Sequence, residues 1–417
     1  MKTTRTRSGG PRRPSRPPIL VSSAASKAKA LKTLSASRTP QAQPASSRTP
    51  QAQPASSRAP QAHPAQAEKN GNGHGKSHAQ SAVLAPRGKA DLRLDRKLLL
   101  QIHDLMIKAR VLEERLIRMY KKSDGYFWLG GPGEEAFAVP LGLQILKGQG
   151  LDYDMMHFHY RAGPTLVAMG AEPIDFMRQM KNTATDPFSG GRNFAAHASI
   201  RKWNVVPITS TIETQYATAI GGGVAHRRHG GKGITIVTGG DAGTAEGEFA
   251  SCMVWASRPG FELPILMIVT NNRMGISTSY DTQHGESRIS DRGKAFGIKT
   301  ATINGLDVEE SYLALKEAMD YVRKERKPFL LEARVSRMYG HSSATGANLV
   351  AGEEDPLITF EKKLEAAGLM TRKDMEELRE KYNQQMLEQA RQVIDEPMPD
   401  PSTIYDFTYC GQKGKYF

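Results

Sequence analysis

The sequence is poor in cysteine. Cys252 and Cys410 are the only two among 417 residues. That excludes a disulfide scaffold and a cysteine-built zinc centre, and it suits a reducing compartment. Aromatic residues are scarce, at 7% of the chain, and residues 1–90 hold almost none. Long apolar runs are missing too. No stretch approaches the ~20 residues of a membrane helix, and the N-terminus lacks a secretory apolar core. Acids are missing from one end only. Residues 1–90 hold 16 Lys and Arg against Glu68 alone, a net +15, which leaves −1 of the chain's +14 for residues 91–417. The basic character belongs to that tail, and the remainder has no general basic surface calling for nucleic acid. A soluble, cytoplasmic protein is expected.

What the tail does have is Pro, Ala, Ser, Gln and Arg. Arg38-Thr39-Pro40-Gln41-Ala42-Gln43-Pro44 returns at Arg48 and, altered, at Arg58. A segment of this composition cannot bury enough apolar area to offset its ordering entropy, so residues 1–90 read as a disordered, extended spacer. The same basic tail could instead touch acidic partners or polyanions. It also resembles an organelle transit peptide, which makes the mitochondrial matrix the alternative address, although its proline repeat argues against a simple amphipathic presequence.

Folding is expected from Asp91 to the C-terminus. Leu94, Leu98, Ile102, Leu105, Ala109, Leu112, Leu116 and Met119 recur at helical spacing. Helices are also expected over Glu134–Leu146, Glu213–Ala225, Thr244–Ser257 and Ser311–Lys324. Ile234–Val237, Pro264–Val269 and Phe329–Val335 read as buried strands. Apolar strands alternating with helices predict an α/β fold, a mostly parallel sheet with helices on both faces. In such sheets ligands bind beyond the carboxyl ends of the strands.

Two strand ends carry the chemistry. Val237-Thr238-Gly239-Gly240-Asp241-Ala242-Gly243 closes one, and Asn271-Asn272 closes the next. Asp241 and Asn272 lie 31 residues apart, the length of one strand–helix–strand unit, so parallel neighbouring strands would bring both to one sheet edge. A carboxylate and a carboxamide oxygen are hard ligands of the kind magnesium takes alongside phosphate. Gly239, Gly240 and Gly243 would let backbone N–H groups approach a phosphate at a helix N-terminus. The alternative is a tight turn with Asp241 as a helix cap, followed by an ordinary asparagine turn. His157 and His159 form a His-x-His, but two histidines without a third ligand make a poor zinc site.

Gly240-Asp241-Ala242 followed by Asn271-Asn272 resembles the thiamine diphosphate signature. Gly133-Glu134-Glu135-Ala136, Tyr160-Arg161-Ala162-Gly163, the run from Asn271 to Thr278, and Arg337 to Ser342 resemble the alpha subunit of 2-oxoacid dehydrogenases, in order, over residues 92–409. The resemblance implies a thiamine diphosphate-binding fold with thiamine diphosphate and magnesium as cofactors. It implies that Asp241, Asn272 and the carbonyl of Met274 bind magnesium, with Gly240, Ala242 and Gly243 in the cofactor turn. Tyr160, Arg161 and Arg337 would hold the diphosphate, where the planar arginine fork suits phosphate. Ile212 would be the apolar wedge behind the cofactor, and Ser210 would contact its aminopyrimidine. His341 would be the acid/base, and His159 would line the mouth of the site. The resemblance further implies a separate beta subunit that supplies the ylid-forming glutamate in a two-plus-two heterotetramer, and acyl transfer to a lipoyl group on an acyltransferase core. This chain would be inactive alone.

Three departures from the family pattern stand out. Ala242 replaces the final Gly of Gly-Asp-Gly, where a methyl could crowd the diphosphate unless the backbone keeps a negative φ. The Asp241–Asn272 interval is slightly long, with the excess assigned to Ser257–Phe261. The loop from Ser342 to Asn348 lacks the acidic pair and the Tyr-Arg of relatives, and Ser342 matches a position phosphorylated in some of them. For the substrate, Leu129, in the stretch that begins at Phe127, stands where pyruvate-type subunits tend to carry a histidine. Apolar residues there favour a branched-chain 2-oxoacid, with pyruvate or acetoin as the alternative. An inactive scaffold, or a polyanion-binding protein acting through its tail, is the rival class.

Overall fold

The computed structural model describes residues 92–406. The tail with its decapeptide repeat, and Cys410, lie outside them. The chain begins with α1 (Arg96–Lys121) and α2 (Glu135–Gln144), then a short strand β1 (Met155–His157). Helices α3 (Gly163–Met169), α4 (Pro173–Lys181) and α5 (Thr214–His229) follow. Next come β2 (Thr235–Gly240), α6 (Gly247–Ala256) and β3 (Ile265–Asn271). Two one-turn helices, α7 (Tyr280–Gln283) and α8 (Asp291–Lys294), precede β4 (Lys299–Asn304), α9 (Val308–Glu325) and β5 (Phe329–Arg334). The described chain ends with α10 (Pro356–Ala366), α11 (Arg372–Ile394) and a short 3₁₀ turn at Pro401–Tyr405.

All four strand pairings are parallel, in the order β1-β2-β3-β5-β4. β3 is buried along its whole length. Its residues alternate between two cores, as a strand covered on both faces must. Leu266 and Ile268 join the core of α1, α2 and α9. Ile265, Met267 and Val269 join the core of α5 and α6. Helices therefore cover both faces, as the α/β pattern predicts. Among the described residues no helix is long and apolar enough to cross a membrane.

Local chemistry sets several boundaries. Asp95 caps α1 by accepting from Leu98 N at 3.0 Å, so that helix starts at Arg96. The segment predicted as one helix from Thr244 breaks in two. A 3₁₀ turn spans Ala242–Ala245, Glu246 is extended, and α6 starts at Gly247. β1 and β4 are not expected from sequence: β1 is three residues long and β4 is half-exposed.

A buried ion network ties the start of α2 to α1. Arg110 donates to Glu135 Oε1 at 2.6 Å and to Asp355 Oδ2 at 2.7 Å. Glu135 also accepts from Gly133 N at 2.8 Å. The network fixes the loop that leads from Phe127 to Glu134, which faces the carboxyl edge of the sheet.

Candidate active site

β2 and β3 pair in parallel, with Gly240 opposite Thr270. Asp241 and Asn272 therefore emerge side by side at one edge, as their spacing predicts. Between these strand ends and α5 lies a cavity of about 230 Å³.

Asp241 is buried, at 2% exposure. Its backbone carbonyl accepts from Thr244 N at 3.1 Å and Thr244 Oγ1 at 2.7 Å, but its side chain makes no capping hydrogen bond. Oδ2 is buried without a partner. Burial raises the carboxyl pKa above its ordinary value, and Arg161 pulls it back. A capping aspartate spends its oxygens on helix N–H groups; this one faces the cavity with an oxygen free, so the helix-cap reading is set aside.

The asparagine turn holds on the other strand. Asn271 Oδ1 accepts from Arg273 N at 2.9 Å and Asn272 Oδ1 accepts from Met274 N at 3.1 Å. Arg273 has φ 59°, and the turn exposes Met274 and Ile276. The Met274 carbonyl faces Arg337 Nη1 at 3.4 Å, and the Gly275 carbonyl accepts from the same nitrogen at 2.6 Å. Asp241, Asn272 and the Met274 carbonyl are all hard oxygen donors, the chemistry magnesium requires.

Arg161 crosses Gly240 so closely that a Cβ there would lie 2.5 Å from Nη2. Its Nε forms an ion pair with Glu134 Oε1 at 2.5 Å, without hydrogen-bond alignment. Its Nη1 donates to the Tyr160 hydroxyl at 2.9 Å. Burial alone would lower the guanidinium pKa, but Glu134, Tyr160 and Asp241 outweigh it and hold the cation firmly charged.

The His341 ring packs edge-on to Tyr160 with centroids 5.6 Å apart. Burial, then Arg161 and Arg337, push its pKa down to about 4. His159 is buried, accepts or donates at Nδ1 with Thr238 Oγ1 at 3.0 Å, and is held well below the ordinary value by burial and then Arg161. His157 instead meets Thr218 Oγ1 at 3.0 Å. Among the described residues no cluster of three or more His, Cys, Asp or Glu is fit to hold a metal.

The cavity thus gathers His159, Tyr160, Arg161, Ile212, Gly240, Asp241, Ala242, Gly243, Met274 and His341. Ile212 is 48% exposed, so an apolar side chain stands in the open where the wedge is expected. Asn272 and Arg337 are outside the lining; they bond to its members Met274 and Gly275. Ser210 is outside the lining and is bound to His197 Nε2 at 2.7 Å. Phe127 and Leu129 line a second, narrow apolar cavity, which shares Tyr160 with the first. That second loop is zipped to the His341 loop: Leu129 bridges Ser342, Ser343 N donates to Trp128 O at 2.9 Å, and Trp128 N donates to Ser343 Oγ at 3.2 Å. Ser342 is consequently buried, at 4% exposure.

Ala242 does not take a positive φ, and its carbonyl accepts from Gln283 Nε2 at 2.8 Å. The backbone condition for tolerating the methyl is met. Ala242→Gly is therefore expected to change cofactor affinity less than ~3-fold. A calorimetric titration checks this, and a gain above tenfold would show that the methyl crowds the ligand. Sequence reasoning missed Glu134 as the partner of Arg161, and missed Glu213, which also lines the cavity.

A family model described as "Dehydrogenase E1 component" matches residues 103–402. Three similar proteins illustrate the range. The chain is 28% identical over 321 residues, 73% of its length, to the 2-oxoisovalerate dehydrogenase subunit alpha of Bacillus subtilis (strain 168), covering 93% of that protein. It is 26% identical over 331 residues, 76% of its length, to the pyruvate dehydrogenase E1 component subunit alpha of Zymomonas mobilis, covering 90%. It is 24% identical over 340 residues, 79% of its length, to the mitochondrial 2-oxoisovalerate dehydrogenase subunit alpha of Homo sapiens, covering 74%.

Proposed function

Because this chain belongs to the dehydrogenase E1 component family, we propose that it is the alpha subunit of a branched-chain 2-oxoacid dehydrogenase, working with a beta subunit in a multienzyme complex. The observation that carries the reading is the buried, unpartnered oxygen of Asp241 at the foot of the cavity between β2 and β3. A cation there would supply its missing partner.

The family's cofactor is thiamine diphosphate, which when bound supplies the carbon nucleophile and electron sink for decarboxylation. Asp241, Asn272 and the Met274 carbonyl hold magnesium. Arg161 and Arg337 hold the diphosphate, with the Tyr160 hydroxyl beside Arg161. Glu134 keeps Arg161 fixed, so its fork is already oriented before ligand arrives. Ile212 supports the cofactor from the α5 side, and Ser210 contacts its ring once freed from His197. Gly240, Ala242 and Gly243 let the turn come close.

His341 moves a proton at the carbonyl oxygen of the 2-oxoacid. In the unloaded site it is neutral, because burial and two arginines disfavour the imidazolium. Diphosphate would neutralise those arginines and bring the histidine back toward a useful range. The apolar cavity of Phe127 and Leu129, about 20 Å³, would have to open to take the substrate's alkyl group, and His159 lines the larger cavity beside it. A lipoyl group of an acyltransferase core would accept the acyl unit, and the beta subunit would supply the glutamate that faces the cofactor's aminopyrimidine. A cytoplasmic address is the simplest for this machinery, and a mitochondrial matrix address is the alternative.

Co-expression with the beta subunit tests the reading. Decarboxylation should require both chains, thiamine diphosphate and magnesium. The preference in kcat/KM for 3-methyl-2-oxobutanoate over pyruvate should be at least ~10-fold, the range an apolar pocket can supply. A preference for pyruvate would assign the chain to the pyruvate type. Full activity of this chain alone would overturn the proposal.

A further inference from the structure

Glu213 stands immediately before α5, between the proposed wedge Ile212 and the helix. It adopts φ 63°, a conformation that L side chains other than Asn and Asp rarely take. The residue is 2% exposed, lines the cofactor cavity, and carries an Oε2 without a hydrogen-bond partner. It lies against the glycine turn: a Cβ on Gly239 would meet Oε2 at 2.7 Å, and one on Gly243 would meet Oε1 at 2.0 Å. Neighbouring donors are already taken. Tyr216 donates its hydroxyl to Ile268 O at 2.7 Å, and Gln215 donates Nε2 to Thr238 O at 3.1 Å.

A buried carboxyl without donors is disfavoured as an anion. Burial pushes Glu213 up to about 8; Arg161 opposes this, and Glu246 and Glu248 add to it. The opposing cation, Arg161, is already engaged by Glu134 and Tyr160. On its own helix Tyr216, and on α6 Cys252, feel the Glu213 charge. Asp241, His159 and His341 face the same cavity.

We propose that Glu213 is a diphosphate-binding residue that acts as a neutral acid, donating a hydrogen bond into the glycine turn where the phosphate lies. A carboxylic acid is the one protonation state of glutamate that can donate, and an incoming phosphate anion favours that state further. The proposal rests on the thiamine diphosphate reading and adds a residue and a proton to it.

The experiment is calorimetric titration of magnesium thiamine diphosphate into the full-length chain assembled with its beta partner. Above about pH 8 the phosphate itself no longer titrates, and wild type should take up close to one proton on binding, read from buffers of different ionisation heat. Affinity should fall roughly tenfold from about pH 7 to about pH 9. Glu213→Gln keeps a donor and should bind within ~3-fold of wild type with a flat pH profile. Glu213→Ala should bind roughly tenfold more weakly at about pH 7. Tighter binding by Glu213→Ala would make the residue a repulsive anion and overturn the proposal, as would an absence of proton uptake by wild type, a measurement that needs no variant. If wild type binds no magnesium thiamine diphosphate at any pH, the proposed function falls with it. Binding without proton linkage removes only the role of Glu213.

Discussion

Replacing Asp241 by Ala is expected to weaken magnesium-dependent binding of thiamine diphosphate by at least ~100-fold, since losing a direct charged ligand exceeds the ~10–100-fold typical of outer-sphere partners. The unloaded protein should keep its melting temperature or gain slightly. The sign follows from the raised carboxyl pKa. A carboxyl whose folded-state pKa lies above its unfolded value supports folding only at acid pH. That support is lost as pH rises through the folded value, so at neutral pH the group opposes folding. Its oxygen Oδ2 has no hydrogen bond to lose. The two readouts therefore separate: thermal stabilisation by added cofactor and magnesium should vanish, because a ligand that binds only the native state raises stability by mass action. If Asp241→Ala instead lowers the unloaded melting temperature and leaves the cofactor shift intact, the residue is structural and the metal assignment fails.

His341→Ala is expected to lower turnover by ~10²–10⁴, the range of a positioned acid/base, with cofactor affinity changed by less than ~3-fold. The side chain packs against Tyr160 at the cavity wall rather than against the Asp241 turn, so binding and proton transfer should separate. The pH profile gives a second reading. Burial first, and then Arg161 and Arg337, hold the unloaded imidazole down to about 4. Loading an anion onto those arginines removes part of the push, so the acid limb of kcat should lie above the unloaded value. That limb should disappear in His341→Ala. Single-turnover decarboxylation across pH measures both, and an unchanged limb and rate would return His341 to an idle loop position.

The strand–helix alternation and the two strand ends were readable from the sequence because their signals are local. Ile234–Val237 and Pro264–Val269 are continuous apolar runs, and a strand buried on both faces has no other composition. Once those two strands are parallel neighbours, the placement of Asp241 beside Asn272 follows. β4 was not readable, because Lys299-Thr300-Ala301-Thr302-Ile303-Asn304 is a half-exposed edge with one fully buried residue. The break at Glu246 was hidden because Thr244 to Ser257 has no proline, and its one glycine, Gly247, stands too near the start to interrupt an apparent helix. Glu213 was hidden for a different reason. A glutamate at the start of a helix ordinarily reads as a solvated charge favoured by the helix dipole. Only the tertiary fold, which sets a positive φ there and closes the glycine turn over the carboxyl, makes it buried. The pairing of Arg161 with Glu134 likewise depends on a loop fixed by the bond of the adjacent Glu135 to Arg110, 25 residues earlier in the sequence.

The zipper between the Phe127–Leu129 segment and the loop after His341 bears on how this enzyme can be retrained. One backbone and one side-chain hydrogen bond between Trp128 and Ser343, with the bridge at Leu129 and Ser342, make the two segments one mechanical piece. A library that varies Leu129 to admit a bulkier acid would shift the histidine along with the pocket, so selectivity and speed should trade against each other from the first substitution. Useful variants would come from changing both sides of the zipper at once.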